Sequence, residues 1–470
     1  MRLSSNCPRF TKVDPTSNLP LAYRYRNRAL LISGVAALTA VFNWTYVSWL
    51  SPVYGYSGFT YNQPSLGYLV IASMLSLAPS FWMPNVLNRP SQLIYWILYL
   101  TAFIPSMFVP LYVALQPPIE ALWLMVAMFG GFVLIGLGYR LPLKRPRFVP
   151  NCSHVLFWGS LAFGSLSLFG WVLYSFGGNL QFVSFERVYD VRLDAMELTT
   201  NQLSGYGIMW LSGAINPFLM AWGFCNKKRF VLLTGMLSQA LLYGTTAAKI
   251  VVLSTGVVPL FYLALSGKNS SFGLKMIWGT VALFVAINCV DIGWGGEPDE
   301  IGFWPSALLF MRTFGIPGLS TAIYHDFFSD HPLTYWSHVK GINLFVPYPY
   351  DRPVHMVVGH FMSGDETLSA NANLWCQDGL AALGLPGILV ASVFCVMIFW
   401  VLDSAAQGHD IRLTGPLVSF AAINISNISL FTSMLSGGLF LIIVILLFLP
   451  RERAVVPERA NKVPSTISNE

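Results

Sequence analysis

Residues 311–338, MRTFGIPGLSTAIYHDFFSDHPLTYWSH, form the centre of a polar segment in a chain that is otherwise mostly apolar. The whole segment covers residues 292–381, and it contains five of the seven histidines of the chain. These are His325, His331, His338, His355 and His360. Because histidine side chains exchange protons near neutral pH, the sequence favours this segment as the place for acid–base chemistry.

The composition around this segment is that of a membrane protein. Hydrophobic residues make up 55% of the 470 residues, charged residues make up 10%, and the mean hydropathy is +0.59. A soluble domain carries about 25% charged residues. The repeated apolar runs have the roughly 17–25 residues that a helix needs to cross the bilayer core. The pattern therefore predicts an all-α polytopic membrane protein.

The hydropathy pattern predicts about twelve transmembrane helices, which fall into three groups at residues 29–176, 205–291 and 382–449. Among them are helices at residues 92–113 and 154–176, and a final hairpin of two spans at residues 413–431 and 434–449. Two polar loops separate the groups, at residues 177–204 and 292–381. The tails, residues 1–28 and 450–470, are polar as well.

The basic residues predict the orientation of the chain. Only 6 of the 27 Lys and Arg residues fall on one predicted face. They are Arg187, Arg192, Lys249, Arg312, Lys340 and Arg352. Since basic residues collect on the cytoplasmic side of a membrane protein, the sequence predicts cytoplasmic tails and two extracytoplasmic loops. The same bias accounts for the net charge of +6, so we expect no nucleic-acid partner.

Several cofactors and reactions are not favoured by the sequence. The six cysteines show no CxxC pair and no metal-ligand spacing, and the cytoplasmic segments contain no Walker A or GxGxxG motif. We therefore predict no cofactor and no metal. An active site outside the cytoplasm has no ATP or nucleotide sugar, so its substrate must carry its own leaving group. A polyprenyl pyrophosphate fits this requirement, and arginine binds phosphate oxygens with two parallel hydrogen bonds.

The candidate phosphate ligands each have an alternative explanation. Arg187 and Arg192 lie in FERVYDVRLD, where neighbouring carboxylates could equally pair with them. Lys249 and Arg312 lie in apolar surroundings, and ionisable groups at membrane level are functional by default because they are costly there. Both side chains could instead extend to the membrane surface. Arg352 is a further candidate for substrate binding.

The candidate general base is His338, which ends the run that begins at Arg312. The other histidines of the segment remain candidates, as do the carboxylates of Asp326, Asp330 and Asp378. His331 could bind substrate or cap a turn. Tyr324 is one of several aromatic residues that could stack on sugar rings, and with His331 and Asp378 it belongs to the predicted substrate-binding set.

Three motifs resemble one family. They are RTFGIPGLSTAIYHDFFSDHPLTYWSH, then SANANLWCQDGLAALGLPGIL, and the glycine-rich SMLSGGLF near the end of the chain. With the Arg-x4-Arg of the first loop, they resemble the bacterial oligosaccharide repeat-unit polymerases, which are the Wzy-type O-antigen polymerases. The resemblance covers residues 177–449 and is most specific from Arg312 to His338.

This resemblance implies a GT-C-like glycosyltransferase of the bacterial inner membrane. Such an enzyme transfers a growing glycan from undecaprenyl pyrophosphate to a sugar hydroxyl of the next lipid-linked repeat unit, without a metal. A chain-length regulator and a flippase are its expected partners. By position, Arg187, Arg192 and Arg312 match phosphate-contacting arginines, and His338 matches a base. The Arg-x10-Gly motif of some members is missing, since Leu198 and Leu203 stand at those positions.

Three other functions remain open at this stage. An O-antigen ligase uses the same donor and passes the glycan to the lipid A core, so residue types do not separate it from a polymerase. A flippase of lipid-linked sugars would carry ionisable groups deep in its helices, whereas these spans are nearly free of charge. A non-catalytic membrane scaffold is the third alternative.

Overall fold

The computed structural model describes residues 21–144, 152–176, 202–246, 249–267, 271–295 and 302–451. Helices are the regular structure in this part of the chain. In chain order they are α1 Arg24–Ser57, α2 Leu66–Phe81, α3 Ser91–Val113, α4 Pro118–Gly138, α5 His154–Ser175, α6 Leu203–Cys225, α7 Arg229–Thr246, α8 Lys249–Leu265, α9 Phe272–Trp294, α10 Phe303–Asp330, α11 Val354–Ser363, α12 375–383, α13 Leu385–Ala406, α14 Ile411–Ile425, α15 Leu430–Leu435 and α16 Leu439–Phe448.

Among the described residues, 8 helices are long and apolar enough to cross a membrane. They are α1, α3, α4, α5, α6, α9, α10 and α13. Four shorter apolar stretches accompany them, in α2, α8, α14 and α16. A helical chain with these spans agrees with the predicted polytopic membrane protein, because helices satisfy their own backbone hydrogen bonds in lipid.

The end of the chain differs from the two continuous spans that the sequence predicts there. The structure divides this region into α14, α15 and α16. Gly438, with φ of 82°, stands immediately before α16 and has a left-handed conformation that glycine adopts without steric cost. In INISNIS, residues 423–429, the side chains of Ser426 and Asn427 both donate to the carbonyl of Ile423, and the Ser429 hydroxyl accepts from the backbone N–H of Thr432. Such bonds compete with a continuous helix.

The segment 292–381 also differs from the predicted loop, because it contains α10, α11 and α12. The physical reason lies in apolar residues that sit among the polar ones at helical spacing. Phe310 and Phe314 are one turn apart and both are buried, and both rings pack against Phe284 of α9, at 5.1 and 4.7 Å between centroids.

Three of the long helices run in the same direction. Asn288 of α9 donates a hydrogen bond to Thr45 of α1 at 3.0 Å, and further towards its end α1 places Tyr46 against Tyr112 of α3, with 4.8 Å between ring centroids. At the opposite end, Gly273 at the start of α9 contacts Trp96 near the start of α3. The helices α1, α3 and α9 therefore end together, at what we call the C-terminal face of the bundle.

Helix α10 begins and ends at this C-terminal face. Near its start, Ser306 donates to a carboxylate oxygen of Asp291, close to the end of α9, at 3.2 Å. Near its end, Asp326 accepts a hydrogen bond of 2.7 Å from Gln116, just beyond the end of α3. Although α10 has the length of a span, its two ends thus lie at the same end of the bundle.

Helices α12 and α13 form a hairpin whose turn points to the same face. Helix α13 runs opposite to α3, because Asp403 near its end accepts hydrogen bonds from the backbone N–H and the hydroxyl of Ser91, at 3.1 and 2.7 Å. The turn at Gly384, with φ of 64°, reverses the chain between α12 and α13. Trp375 at the start of α12 donates to Ser392 of α13 at 2.9 Å. Helix α12 therefore lies beside the first half of a candidate span.

Candidate functional site

The candidate site is built where residues 334–338 cover the end of α12. The backbone N–H groups of Thr334 and Tyr335 donate to the carbonyls of Ala381 and Ala382, at 2.8 and 3.1 Å. The Trp336 indole donates to the carbonyl of Asp378 at 2.9 Å. These bonds satisfy carbonyl groups that the end of a helix leaves without intrahelical partners.

The backbone of this covering segment is strained. Tyr335 and Trp336 have φ of 48° and 60°, in the left-handed region that residues with a side chain rarely adopt. Each such residue costs on the order of 1 kcal/mol and persists only where the surrounding contacts hold it. Here the hydrogen bonds to α12 hold both residues, and the strained turn aims His338 back towards Asp378.

His338 has one paired and one unpaired ring nitrogen. Its Nδ1 lies 2.8 Å from the hydroxyl oxygen of Thr334, and that hydroxyl donates to the carbonyl of Ala381 at 2.9 Å. A hydroxyl has a single proton, so this arrangement makes Nδ1–H the donor to Thr334. The Nε2 atom is buried without a hydrogen-bond partner among the described residues, and it lies 3.8 Å from a carboxylate oxygen of Asp378.

Asp378 is fully buried, and its carboxylate accepts hydrogen bonds from two donors. One oxygen accepts from the hydroxyl of Ser429 at 2.6 Å, and the other accepts from the backbone N–H of Leu430 at 2.5 Å. Charge-assisted hydrogen bonds of this kind offset the large cost of removing a carboxylate from water. Asp378 thereby joins α12 to the start of α15.

Gln377 extends this network to α10. Its side-chain oxygen accepts from the backbone N–H of Ser429 at 2.8 Å, and its amide donates to the hydroxyl of Tyr324 at 3.4 Å. The Tyr324 hydroxyl in turn donates to the carbonyl of Ala370 at 2.9 Å. We call the connected side chains the Asp378 cluster: Tyr324, Thr334, His338, Gln377, Asp378 and Ser429.

The structure brings three predicted residues into the Asp378 cluster, namely Tyr324, His338 and Asp378. The sequence interpretation missed Thr334, Gln377 and Ser429. Two of them had a local signal, since Thr334 stands one helical turn before His338 and Ser429 precedes an apolar run in the manner of a helix N-cap. Gln377 had none apart from its position next to Asp378.

Three predicted residues lie elsewhere. Arg312 is on an exposed side of α10, within its π-helical part Ala307–Gly315. His331 stacks on the ring of Phe327 at 4.0 Å, and its Nδ1 lies 2.8 Å from the carbonyl of the same residue. Arg352 pairs with Glu366 at 3.0 Å on the surface, and such exposed pairs contribute about 0–1 kcal/mol.

The remaining predicted residues lie outside what the structure describes. Arg187 and Arg192 belong to residues 177–201, which are not described. Lys249 is the first residue of α8, and its side chain is not described. Within the described part of the chain, no group of three or more His, Cys, Asp or Glu residues could hold a metal ion.

The comparisons with known proteins do not assign the chain to a family. No family model, curated protein or solved structure matches it. The chemistry of the Asp378 cluster and the arrangement of the helices around it are therefore the features that bear on the function.

Proposed function

We propose that this protein is a membrane glycosyltransferase that polymerises oligosaccharide repeat units linked to undecaprenyl pyrophosphate. The product would be O-antigen or a related surface polysaccharide. The observation that carries the proposal is the Nε2 atom of His338, which is buried, unpaired among the described residues and next to the carboxylate of Asp378. A buried basic nitrogen held in this way is suited to take a proton from an acceptor hydroxyl.

In the proposed reaction, the acceptor sugar hydroxyl attacks the anomeric carbon of the donor glycan. His338 Nε2 accepts the hydroxyl proton while the new glycosidic bond forms. The bond from the anomeric carbon to the pyrophosphate oxygen breaks, and undecaprenyl pyrophosphate leaves with the electron pair. Asp378 stabilises the resulting imidazolium from 3.8 Å, and Thr334 holds the ring through Nδ1.

The leaving pyrophosphate needs cations. We propose Arg312, Arg187, Arg192 and Lys249 for this role, since arginine binds phosphate bidentately and lysine as a point charge. Arg312 is on the same helix as Tyr324 of the Asp378 cluster and is exposed. Arg352 is a weaker candidate, because Glu366 already neutralises it.

The proposed location is the bacterial inner membrane, with both tails in the cytoplasm. The Asp378 cluster lies at the C-terminal face of the bundle, and the distribution of Lys and Arg predicts that this face is extracytoplasmic. There, lipid-linked glycans delivered by a flippase are the available donors and acceptors, and a chain-length regulator would act on the growing polymer.

The test is reconstitution of the purified full-length protein with a defined undecaprenyl-pyrophosphate-linked repeat unit, followed by gel analysis. We expect a ladder of polymers, which His338→Gln abolishes. His360→Gln is the matched control, because His360 is an exposed histidine of the same segment, and it should leave the ladder intact.

Other outcomes of this experiment would contradict the proposed polymerase activity. Product that forms only when lipid A core is supplied would identify a ligase. Movement of the substrate across the bilayer without a new glycosidic bond would identify a flippase. A full ladder with His338→Gln would show that His338 is not the general base.

A further inference from the structure

We propose that residues 339–346 insert into the phospholipid bilayer beside α13 and anchor the segment that carries His338. We call these residues the anchor loop. At its tip, Leu344 is 81% exposed and Phe345 is 87% exposed. Two adjacent large apolar side chains held in water are unfavourable, and contact with acyl chains removes that cost. This inference stands independently of the proposed function.

The segment that leads into the anchor loop packs against a candidate span. The ring of Trp336 lies 5.8 Å from that of Phe394, which is close to the middle of α13. The turns that follow are compact, since Val339 N–H donates to the carbonyl of Trp336 at 2.9 Å and Ile342 N–H donates to that of Val339 at 3.1 Å. The loop therefore begins beside the first turns of α13, where residues 334 and 335 bond to the end of α12 and the Trp336 ring packs along the helix.

The neighbouring surface of α13 is apolar and faces outward. Its exposed large residues repeat every four positions along one side. They are Leu389, Val393, Met397 and Val401. In a candidate span such a stripe contacts acyl chains, so the surface of α13 next to the segment that leads into the anchor loop is one that lipid covers.

The loop also offers a charge for the lipid headgroup. Lys340 is exposed and precedes the apolar tip. The turn between them has a defined shape, because Gly341 has φ of 100° and its N–H donates to the side-chain oxygen of Asn343 at 3.0 Å. A basic residue next to apolar side chains fits the interface between phosphate headgroups and acyl chains. The occupant we infer is therefore phospholipid.

The experiment uses the full-length protein in nanodiscs of phosphatidylcholine and phosphatidylglycerol, with one protein copy per disc. Phe345→Cys carries a nitroxide label, in a background that lacks Cys7, Cys152, Cys225 and Cys289 and keeps the buried Cys376 and Cys395. Leu344→Cys is the second reporter. Thr367→Cys is the matched control, because Thr367 is exposed in a polar turn.

We expect the labels at 344 and 345 to collide more with oxygen, which concentrates in lipid, than with a water-soluble nickel chelate. The label at 367 should show the opposite preference. Nickel access at 344 and 345 equal to that at 367 would overturn the inference. So would protection that arises only when a second protein or a second copy of this chain is added.

Discussion

At the residue scale, the polar side chains of the Asp378 cluster are hydrogen-bonded, and the exception is one ring nitrogen of His338. Asp378 receives two donors, and Thr334 both gives and receives a hydrogen bond. The Nε2 atom of His338 is left buried without a hydrogen bond among the described residues. A buried nitrogen without a partner costs free energy, so its persistence favours a role for that atom.

Thr334→Val tests whether Thr334 positions His338. Valine has the same shape but lacks the hydroxyl, so the imidazole loses the partner of Nδ1. We expect kcat to fall roughly tenfold, which corresponds to about 1.4 kcal/mol in the barrier, with little change in KM.

Thr334→Ser is the control for this substitution, because serine keeps the hydroxyl and should restore kcat. The measurement is the initial rate of the proposed glycan transfer by the reconstituted protein. Equal rates for the valine and serine variants would show that the hydroxyl does not act on His338.

Asp378→Asn tests the charge of the buried carboxylate. The amide offers one acceptor where the carboxylate offers two, so either the Ser429 hydroxyl or the Leu430 N–H loses its partner. An unsatisfied buried group costs about 1–3 kcal/mol, so we expect the free energy of unfolding to fall by that amount and the melting temperature to fall with it.

Asp351→Asn is the matched control, because the side chain of Asp351 is 87% exposed. It should leave the melting temperature in detergent unchanged. Equal melting temperatures for the two variants would contradict the structural role assigned to Asp378.

At the scale of elements, the hairpin of α12 and α13 depends on two glycines that allow close backbone approach. A Cβ on Gly387 would overlap the carbonyl oxygen of Gly379, and a Cβ on Gly379 would press on the backbone of Ile388. This contact sets the depth of Gln377 and Asp378 beside α13. A wider separation of the helices would move the cluster away from residues 334–338.

Gly387→Ala should therefore separate the two helices. We expect a loss of about 1–3 kcal/mol of stability, as for other overpacked interiors. Gly159→Ala is the matched control, because a Cβ at Gly159 meets no atom within 4 Å and alanine favours the helix. Thermal unfolding of both variants in detergent is the measurement. A neutral Gly387→Ala would show that the helices lie further apart than described.

Helix α11 should respond to pH through His355. Burial lowers the pKa of His355 below its usual value of about 6.5, since burial disfavours the charged imidazolium. Between the two pKa values the unfolded state binds more protons, so stability rises with pH. The stability that comes from burying His355 in its neutral form is fully present above about pH 6.5, and it is lost as the pH falls through the pKa of the folded state.

Hydrogen exchange of residues 354–363 measures this effect. We expect faster exchange from opening of α11 in acid than at neutral pH, after correction for the intrinsic rate. His355→Gln should flatten this dependence, whereas His360→Gln, at an exposed position of the same helix, should preserve it. An unchanged profile with His355→Gln would assign the effect to other groups.

At the scale of the whole molecule, α10 connects the ends of α9 and α3 without passing to the other end of the bundle. Its start bonds to Asp291 and its end bonds to Gln116. Both ends of α10 and the turn of the α12–α13 hairpin thus lie at the C-terminal face. The Asp378 cluster is assembled at this face from parts that are far apart in the sequence.

Cysteine labelling tests which side of the membrane the C-terminal face occupies. Ser329→Cys and Tyr56→Cys place exposed thiols near the ends of α10 and α1. We expect an impermeant reagent added to intact spheroplasts to label both. Lys228→Cys, exposed in the connector after α6, should be protected until the membrane is opened. The reverse pattern would overturn the orientation and the extracytoplasmic chemistry.

The amino-acid sequence by itself determined the class of the protein and the positions of many helices. The helix predicted at residues 154–176 is observed at His154–Ser175, and the one predicted at 92–113 is observed at Ser91–Val113. Hydropathy locates such helices because their length is set by the thickness of the bilayer, which is the same for every span.

Only the tertiary structure decided which polar groups meet. His338 lies next to Asp378 although the two are forty positions apart in the sequence, and Asp378 bonds to Ser429, which is 51 positions further on. The path of α10 and the division of the last helices were also decided by packing. Hydropathy measures the transfer of each residue into lipid and contains no term for the partner that a buried polar group obtains. That partner depends on the fold, through a strained turn at Tyr335 and a close approach of two glycines.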